Sequence, residues 1–298
     1  MVEVVCVGSA TWDIFLRSDE FSLGRLREGK IEAQELVMAS GGGATNAAVS
    51  YVRKGIKAAA LVEMGKDAAA DMIVADLAKE GVDTSWVIQE PDETTAVSVI
   101  LVSRKGSSIV TYRGASRMLT VADIPWARLE REIKVGGWIH LTSVGGEMTL
   151  VNRLIAWARA KNRKIYWNPG LGEKRPDQWP DVLQMNRNEA SKFFGIDWND
   201  EGVWRGEHCP VAPGMMLVIT DGERGGRVCQ GGKCWWYEAI KTAVVDSTGA
   251  GDAFGSGVIA ALIKGKQVPQ AIEWGKKQAA AVVSRVGAKA GLLWPESL

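Results

Sequence analysis

Most of the chain alternates between short apolar runs and segments whose apolar residues have helical spacing. An apolar run at residues 2–7 ends at Gly8, a helix of small residues follows at 46–55, and a second apolar run lies at 58–62. The alternation continues with predicted helices at 67–80, 149–160 and 188–194 and predicted strands at 138–142, 164–167 and 182–185. This order predicts a mostly parallel sheet with helices on both faces.

Two stretches, 14–39 and 94–112, break this pattern because apolar and polar residues alternate in them. The segments TAVSVILVS and SSIVTYRG flank a predicted turn at residues 104–106. We interpret both stretches as antiparallel strands of a small sheet inserted into a single domain, 1–298. We expect this sheet to form a lid, at about 13–40 and 92–114, that excludes water from a reacting centre, which favours an enzyme over a binding module.

The segment KTAVVDSTGAGDAFGSG predicts a strand at 243–245, a glycine-rich turn and then a helix. At the start of that helix, the backbone N–H groups of Gly249, Ala250, Gly251 and Asp252 have no intrahelical acceptor. Small or absent side chains let an anion approach these donors closely. The turn therefore predicts a phosphate-binding anion hole.

Asp252 lies in the first turn of this predicted helix, where the positive end of the helix dipole favours the ionised carboxylate. Such a group accepts a proton, so Asp252 is a candidate general base for phosphoryl transfer to an alcohol. A purely structural role, as an acid that stabilises the helix start, remains open from this motif alone.

A second glycine cluster, GGGATN at residues 41–46, precedes the first long helix. Glycines let a ligand approach the backbone, and Asn46 offers both a donor and an acceptor, a combination that suits a polyhydroxylated ligand. Taken alone, the segment also fits a flexible turn with an asparagine near a helix start.

Composition narrows the partner to a small molecule. The 298 residues carry 36 Lys and Arg against 35 Asp and Glu, which gives no electrostatic footprint for nucleic acid or an anionic membrane. No apolar run reaches the roughly 18 residues of a membrane helix, and Glu3 stands where a signal peptide would be basic, so we expect a cytoplasmic protein. We expect its four cysteines to be reduced, and we interpret Cys229 and Cys234 as strand residues facing each other across a hairpin rather than as zinc ligands.

Together, DSTGAGD and GGGATNAA resemble the two signature regions of the ribokinase (PfkB) carbohydrate kinase family. Shorter matches, namely GSATWD, MNRNE, TDGERGG and RVGA, spread the resemblance over nearly the whole chain. The resemblance implies a three-layer α/β sandwich with a small β-sheet lid. It also implies a carbohydrate kinase that uses ATP and Mg²⁺.

The resemblance also implies a role for individual residues. It makes Asp252 the base and residues 249–251 the anion hole, and it makes Asp246 a candidate for a monovalent-cation site, such as one for K⁺. It assigns four residues to the phosphate acceptor: Asp13, Gly41, Gly42 and Asn46. It assigns five to the nucleotide: Asn186, Glu189, Thr220, Gly222 and Gly225.

One further role and two further residues complete the predicted site. Glu189 would support Mg²⁺ through water, because that ion keeps several of its waters. Arg113 lies where the lid re-enters the main domain and is a candidate for substrate or phosphate contact. Asn168 follows a strand end, where ligands bind in open sheets, and is a further substrate candidate.

The exact acceptor stays open at this point between a sugar and a nucleoside, with sugar acids disfavoured because Arg113 is the one basic residue near the predicted pocket. A noncatalytic sugar-binding sensor is a rival from another class, although it would lack the base or the anion hole. A nicotinamide oxidoreductase is disfavoured because residues 8–11, GSAT, lack the dinucleotide fingerprint. Exposed edge strands in the lid predict a homodimer through lid pairing.

Overall fold

A computed structural model describes residues 1–21, 30–103, 106–117, 119–170, 172–205, 210 and 212–295. Two parts of the sequence predictions lie outside these residues: the stretch 22–29 of the lid and Arg104 and Lys105 of the predicted lid turn. His208 and Cys209 also lie outside them.

A nine-stranded sheet forms the centre of the described chain, in the order β13-β12-β11-β10-β9-β8-β1-β4-β5. All neighbours are parallel except the β11–β12 and β12–β13 pairs. Its strands are β1 (Val2–Gly8), β4 (Ala58–Gly65), β5 (Ile88–Glu90), β8 (Ile133–Leu141), β9 (Lys164–Trp167), β10 (Val182–Asn186), β11 (Met216–Thr220), β12 (Gly226–Gln230) and β13 (Lys233–Tyr237). Parallel order places the carboxyl ends of β1, β4, β9, β10 and β11 along one edge of the sheet.

Helices cover both faces of this sheet. Alternate residues of β1 enter opposite cores: Val4 packs with α1, α2, α7 and α8, whereas Val5 packs with α3, α4 and α5. The helices are α1 (Gly43–Val52), α2 (Ala68–Glu80), α3 (Trp126–Glu132), α4 (Met148–Ala160), α5 (Arg187–Phe194), α6 (Glu201–Arg205), α7 (Ala250–Ile263) and α8 (Val268–Val283). The predicted three-layer α/β sandwich is confirmed, and within the described residues no helix is both long and apolar enough to cross a bilayer.

Helix α2 shows how local sequence sets an element. Asp67 caps its start, because one carboxylate oxygen accepts from the N–H of Ala70 at 3.0 Å. Gly81, with φ at 87°, ends it in the left-handed conformation that favours glycine. The other oxygen of Asp67 accepts from the N–H of Thr95 at 2.8 Å, which joins this helix start to the beginning of the stretch 94–112.

The smaller sheet has the order β3-β2-β6-β7, with β2 (Thr11–Arg17), β3 (Glu35–Gly41), β6 (Val97–Ser103) and β7 (Gly106–Tyr112). The outer pairs are antiparallel, as predicted, but the central β2–β6 pair is parallel. A prediction based on hairpins misses this parallel pair, because β2 and β6 come from two separate stretches of the chain. Phe15, Ile100 and Val102 form the buried face of this sheet, with Val37 and Val286 packed against them.

The predicted strand at 243–245 is wrong. Val244 is 65% exposed. The N–H groups of Val245 and Asp246 donate to the carbonyl of Val283 at the end of α8, at 2.7 and 3.2 Å, rather than to a strand. The end of the apolar run is therefore hydrogen-bonded to a helix end while Val244 stays exposed, and periodicity alone does not distinguish this from a short strand.

The prediction that all cysteines are reduced is also wrong for one pair. Cys229 and Cys234 lie opposite each other in the antiparallel β12–β13 hairpin, with their Cα atoms 4.1 Å apart, and form a disulfide. The guanidinium of the fully buried Arg227 donates to both sulfur atoms, at 3.3 and 3.5 Å. Because a disulfide offers no thiolate, this pair is not a zinc ligand set. Cys6 is a buried free thiol.

Candidate active site

The glycine-rich turn begins helix α7. Gly249 is the residue before the helix and has φ at 77°, and a Cβ added to it would lie 2.5 Å from the Cβ of Ala288. Ala250 donates its N–H to the carbonyl of Ser247 at 3.3 Å, so this amide is used in the turn itself, unlike the sequence prediction. Within the described chain, the N–H groups of Gly251 and Asp252 have no protein acceptor. Three of the four expected donors, the N–H groups of Gly249, Gly251 and Asp252, are therefore without a protein acceptor in the described chain.

Asp246 holds this turn in place. One of its carboxylate oxygens accepts from the N–H and the hydroxyl of Thr248, at 3.0 and 2.7 Å. The other accepts from the N–H of Gly287 at 3.0 Å, which ties the turn to the segment after α8. Asp246 is 3% exposed, and these three donors satisfy a carboxylate that burial would otherwise destabilise.

Asp252 lies across from the other glycine cluster. The side-chain amide of Asn46, on α1, donates to its carboxylate at 2.9 Å, although the two residues are 206 positions apart. Burial raises the pKa of Asp252, the hydrogen bond from Asn46 acts to lower it, and the charge of Asp13 raises it further. The expected effect of the helix dipole is therefore outweighed, and the net shift of the pKa is upward from its ordinary value.

Asp13 and the glycines of the first cluster form the opposite wall. Asp13, on β2, is 5% exposed and accepts from the hydroxyl of Thr11 at 2.7 Å. Its carboxylate lies directly against the Cα of Gly41, where a side chain would clash with it. Gly42 has φ at 93° and packs against the backbone of Ser9, so both positions require glycine.

The groups around this wall also shift the pKa of Asp13. Burial raises the pKa of Asp13, while hydrogen bonds from Thr11 and Ser98 and the charge of Lys289 act to lower it. The Oδ1 atom of Asn46 is buried and has no protein partner among the described residues. Asp13 and Asn46 thus present acceptor oxygens beside Asp252.

Lys289 is a part of this region that the sequence did not reveal. Its side chain is 8% exposed, and its ammonium donates to the hydroxyl of Ser40 and lies 3.8 Å from a carboxylate oxygen of Asp76. Burial lowers the pKa of Lys289 to about 8, against the opposing charges of Asp76 and Asp13. A single lysine in a small-residue segment gives no sequence signal of burial, because its partners lie on other elements.

A cavity of about 590 Å³ lies on the other side of the glycine-rich turn. Predicted nucleotide residues Thr220, Gly222 and Gly225 line it together with Ala250 and Gly251. Most of its other walls are apolar: Tyr237, Ile240, Val244, Phe254, Ala279, Ala280 and Val283. The rings of Tyr237 and Phe254 stack with centroids 5.0 Å apart, so the cavity offers a flat apolar surface beside a set of backbone donors.

Asn186 lies next to Thr220, a residue that lines this cavity, and Glu189 follows three positions later in the first turn of α5. Asn186 ends β10 directly beside Thr220 of β11 and caps α5. Its side chain accepts from the N–H of Glu189 at 2.8 Å, and the carboxylate of Glu189 accepts from its N–H at 2.9 Å. This reciprocal cap fixes the position of Glu189. The second carboxylate oxygen of Glu189 has no protein partner in the part of the chain that the structure describes.

The remaining two candidates are Asn168 and Arg113. The side-chain amide of Asn168 donates to the backbone carbonyl of Gln184 at 2.9 Å, so this group holds a neighbouring strand. Arg113 is exposed where β7 ends, and none of its described contacts joins it to Asp13, Asn46 or Asp252. The structure therefore brings together the two glycine clusters and both aspartates, but not Arg113.

The sequence matches the pfkB family of carbohydrate kinases over residues 1–295. The chain is a member of this family. Its relatives include a ribokinase of Staphylococcus aureus, 25% identical over 97% of this chain and 96% of the relative. As a family member the protein is an enzyme, a carbohydrate kinase.

Solved ribokinases share the fold of this kinase. The structure of the Giardia lamblia ribokinase aligns over 100% of this chain and 98% of that chain, with a TM-score of 0.84 and 20% identity. The Arabidopsis thaliana ribokinase, complexed with ribose and ATP, aligns over 100% of this chain and 97% of that chain, with a TM-score of 0.77 and 20% identity. The predicted ribokinase-like fold with a smaller second sheet is thus confirmed.

Gly249→Ala tests whether the turn of this carbohydrate kinase needs its close approach to Ala288. We expect phosphotransfer turnover to fall about tenfold or more, because the added methyl group displaces a turn whose placement fixes the site. Steady-state kinetics and thermal unfolding would measure the two effects.

Gly265→Ala is the matched control, because Gly265 has φ at 75° but no atom within 4 Å of an added Cβ. Both variants meet the cost of placing a side chain in a left-handed conformation, about 1 kcal/mol. Equal turnover in the two variants would show that contact with Ala288 does not matter.

Proposed function

We propose that the protein transfers the terminal phosphoryl group of ATP to a hydroxyl group of a neutral sugar, with Asp252 as the general base. The observation that carries this proposal is the pairing of Asn46 with Asp252 at 2.9 Å, which brings the two glycine clusters to one point. Beside that carboxylate, the amides of Gly251 and Asp252 are open in the described chain. A proton acceptor next to unpaired backbone donors suits attack by an alcohol on a phosphoryl group.

In the proposed step, Asp252 accepts the proton of the sugar hydroxyl, and the oxygen of that hydroxyl forms a bond to the γ-phosphorus. The bond from that phosphorus to the β,γ-bridging oxygen breaks, and ADP leaves with the electron pair. Negative charge develops on the moving phosphoryl group, where the amides of Gly251 and Asp252 can donate hydrogen bonds. An upward-shifted pKa makes the ionised form of Asp252 a stronger base than that of an exposed aspartate.

The cavity beyond the turn suits an adenine nucleotide. Its volume of about 590 Å³ lies within the range of small-molecule sites, and its stacked Tyr237 and Phe254 give an apolar wall for a base. Gly251 lines the cavity and also borders Asp252, so a nucleotide there would direct its phosphates toward the acceptor. The Arabidopsis ribokinase complexed with ribose and ATP supports ATP as the donor.

Glu189 fits a role in supporting Mg²⁺. Among the described residues there is no group of three His, Cys, Asp or Glu side chains that could enclose a metal. Mg²⁺ instead keeps waters and takes phosphate oxygens, and it needs only limited carboxylate support, which the second oxygen of Glu189 can give. The ion would neutralise phosphate charge when bound. The monovalent-cation role of Asp246 stays a prediction, since its carboxylate already has three protein donors.

The acceptor side favours a neutral polyol. The charge of Asp13 raises the pKa of Asp252, and the charge of Asp246 raises the pKa of Asp13. The wall on the acceptor side is therefore electronegative. A sugar acid would meet like charge there, whereas sugar hydroxyls can donate to Asp13 and to the unpaired Oδ1 of Asn46. ADP release measured with D-ribose, D-fructose, 2-dehydro-3-deoxygluconate and adenosine separates a sugar kinase from a nucleoside kinase and from a noncatalytic sensor.

Asp252→Asn tests the base with the acceptor that gives the fastest ADP release. We expect kcat to fall by roughly 10²- to 10⁴-fold, because the amide cannot accept the hydroxyl proton. Thermal unfolding should show a folded protein, since the side chain keeps its shape and can still accept from Asn46.

Asp71→Asn is the matched control, because Asp71 is an exposed acid in the first turn of α2. It should retain the turnover of the unsubstituted protein. If Asp252 were only an acid that stabilises a helix start, both variants would have similar activity, and the proposed base would be refuted.

We also propose that two copies of the protein associate through the small sheet. Met38, Ile14, Val99 and Val110 lie side by side across its four strands. Met38 and Val110 are 53% and 63% exposed, so this apolar face lacks cover in the described chain. A self-complementary apolar face is the usual basis of a twofold dimer.

Val110→Lys should dissociate the dimer, because it places a charge in the apolar face that the dimer would bury. Sedimentation velocity at micromolar concentration should show a dimer for the unsubstituted protein and a monomer for the variant. Val135→Lys is the control, since Val135 is 68% exposed on the main sheet. A monomeric unsubstituted protein, or equal dissociation of both variants, would contradict the proposal.

A further inference from the structure

Gln184 is a buried polar residue beside the glycine-rich turn that the proposed mechanism does not use. It lies in β10, two positions before Asn186, and is 2% exposed. Its side-chain amide nitrogen donates to the carbonyl oxygen of Gly251 at 2.9 Å. This contact joins the central sheet to the first turn of α7, across 67 positions of sequence.

The contact bears directly on a donor of the anion hole. The carbonyl of Gly251 and the N–H of Asp252 belong to one peptide group, which is planar and trans. In such a group the oxygen and the hydrogen point in opposite directions. Anchoring the oxygen of Gly251 to the strand therefore directs the N–H of Asp252 away from the strand, and it limits rotation of the Cα that carries the base.

Neighbouring residues hold Gln184 in the orientation that this contact needs. The side-chain amide of Asn168 donates to the backbone carbonyl of Gln184 at 2.9 Å, which fixes the strand. Gly255 lets α7 approach closely, because a Cβ there would lie 2.7 Å from Oε1 of Gln184. Only the NH₂ end of the side chain can face a carbonyl oxygen, so the amide orientation follows from the partner.

The neighbouring Tyr166 belongs to the same packing. Its hydroxyl also lies where a Cβ on Gly255 would be, and it has no protein partner in the described part of the chain. Its ring stacks on His140, 4.1 Å between centroids, in the core. Gln184 thus lies between the Tyr166–His140 stack and the start of α7, and this packing restricts its side chain to the observed arrangement.

We propose that Gln184 is a positioning residue for phosphoryl transfer: it fixes the Gly251–Asp252 peptide so that the amide and the carboxylate of Asp252 face the reacting groups. The inference rests on the proposed function, because it assumes that this amide contacts the moving phosphoryl group. Gln184 itself touches neither substrate. Loss of its hydrogen bond would remove the contact that ties this peptide to the central sheet, and a shift of the helix start would cost the transition state more than substrate binding.

Gln184→Met tests this role, because methionine has a similar length and no donor. We expect kcat to fall about tenfold to a hundredfold, while KM for ATP and for the sugar changes by less than about threefold. Gln184→Glu should also move the acid limb of the kcat profile to higher pH, because a second negative charge near Asp252 raises its pKa. A role in stability alone would not produce this split between kcat and KM.

Gln278→Met is the matched control. Gln278 is a fully buried glutamine that bonds the backbone of Leu293, at 3.2 and 3.4 Å, through both ends of its amide. Its substitution removes comparable buried hydrogen bonds away from the glycine-rich turn. We expect reduced thermal stability with kcat unchanged. Equal kcat values for the Gln184→Met and Gln278→Met variants would overturn the proposal.

A measurement without turnover separates this proposal from the proposed function. Inorganic phosphate is titrated in the presence of saturating ADP while the ¹⁵N-labelled amides of Gly251 and Asp252 are followed by NMR. We expect these amides to shift in the unsubstituted protein and the apparent phosphate affinity to fall about tenfold in Gln184→Met.

Each other outcome has a definite meaning. Unshifted amides and no ADP release from the unsubstituted protein would refute the anion hole, and with it both proposals. Normal turnover and phosphate binding in the unsubstituted protein, with the same phosphate affinity in Gln184→Met, would refute the role of Gln184 and leave the proposed function standing.

Discussion

The site depends on the hydrogen bond from Asn46 to Asp252, because it is the point at which two distant segments become one arrangement. Asn46 lies in the first turn of α1, at the end of the first glycine cluster, and Asp252 lies in the first turn of α7, within the second. The bond has two effects that oppose the effect of burial on the carboxylate: it gives the carboxylate a hydrogen-bond partner, and it acts to lower the pKa of Asp252. Without it, burial and the charge of Asp13 would both act to protonate the proposed base.

The fold explains why this meeting is fixed in space. Parallel strands bring their carboxyl ends to one edge, where β1 leads into the small sheet and β10 supplies Gln184 and Asn186. The segment after α8 completes the frame, because Ala288 packs on Gly249 and Lys289 reaches Ser40 beside the first glycine cluster. Elements from both ends of the chain therefore set the geometry of a few atoms.

Sequence patterns predicted what depends on local spacing. The alternation of strands and helices, the helix boundaries at Asp67 and Gly81 and both glycine-rich turns are properties of neighbouring residues. The error for Cys229 and Cys234 concerns their oxidation state, since their facing positions across the hairpin were predicted. The other errors, the parallel β2–β6 pair and the run at 243–245, involve partners far away in the chain. Lys289 and Gln184 stayed hidden for the same reason, since their importance lies in contacts with residues far away in the chain.

The pH dependence of kcat in the unsubstituted protein and in Asn46→Leu, at saturating ATP and sugar, tests the central claim most directly. Turnover requires ionised Asp252, so kcat falls as pH drops through its pKa in the reacting complex. Asn46 lowers that pKa, so its removal should move the acid limb to higher pH. An acid limb at the same or a lower pH in Asn46→Leu would contradict the account.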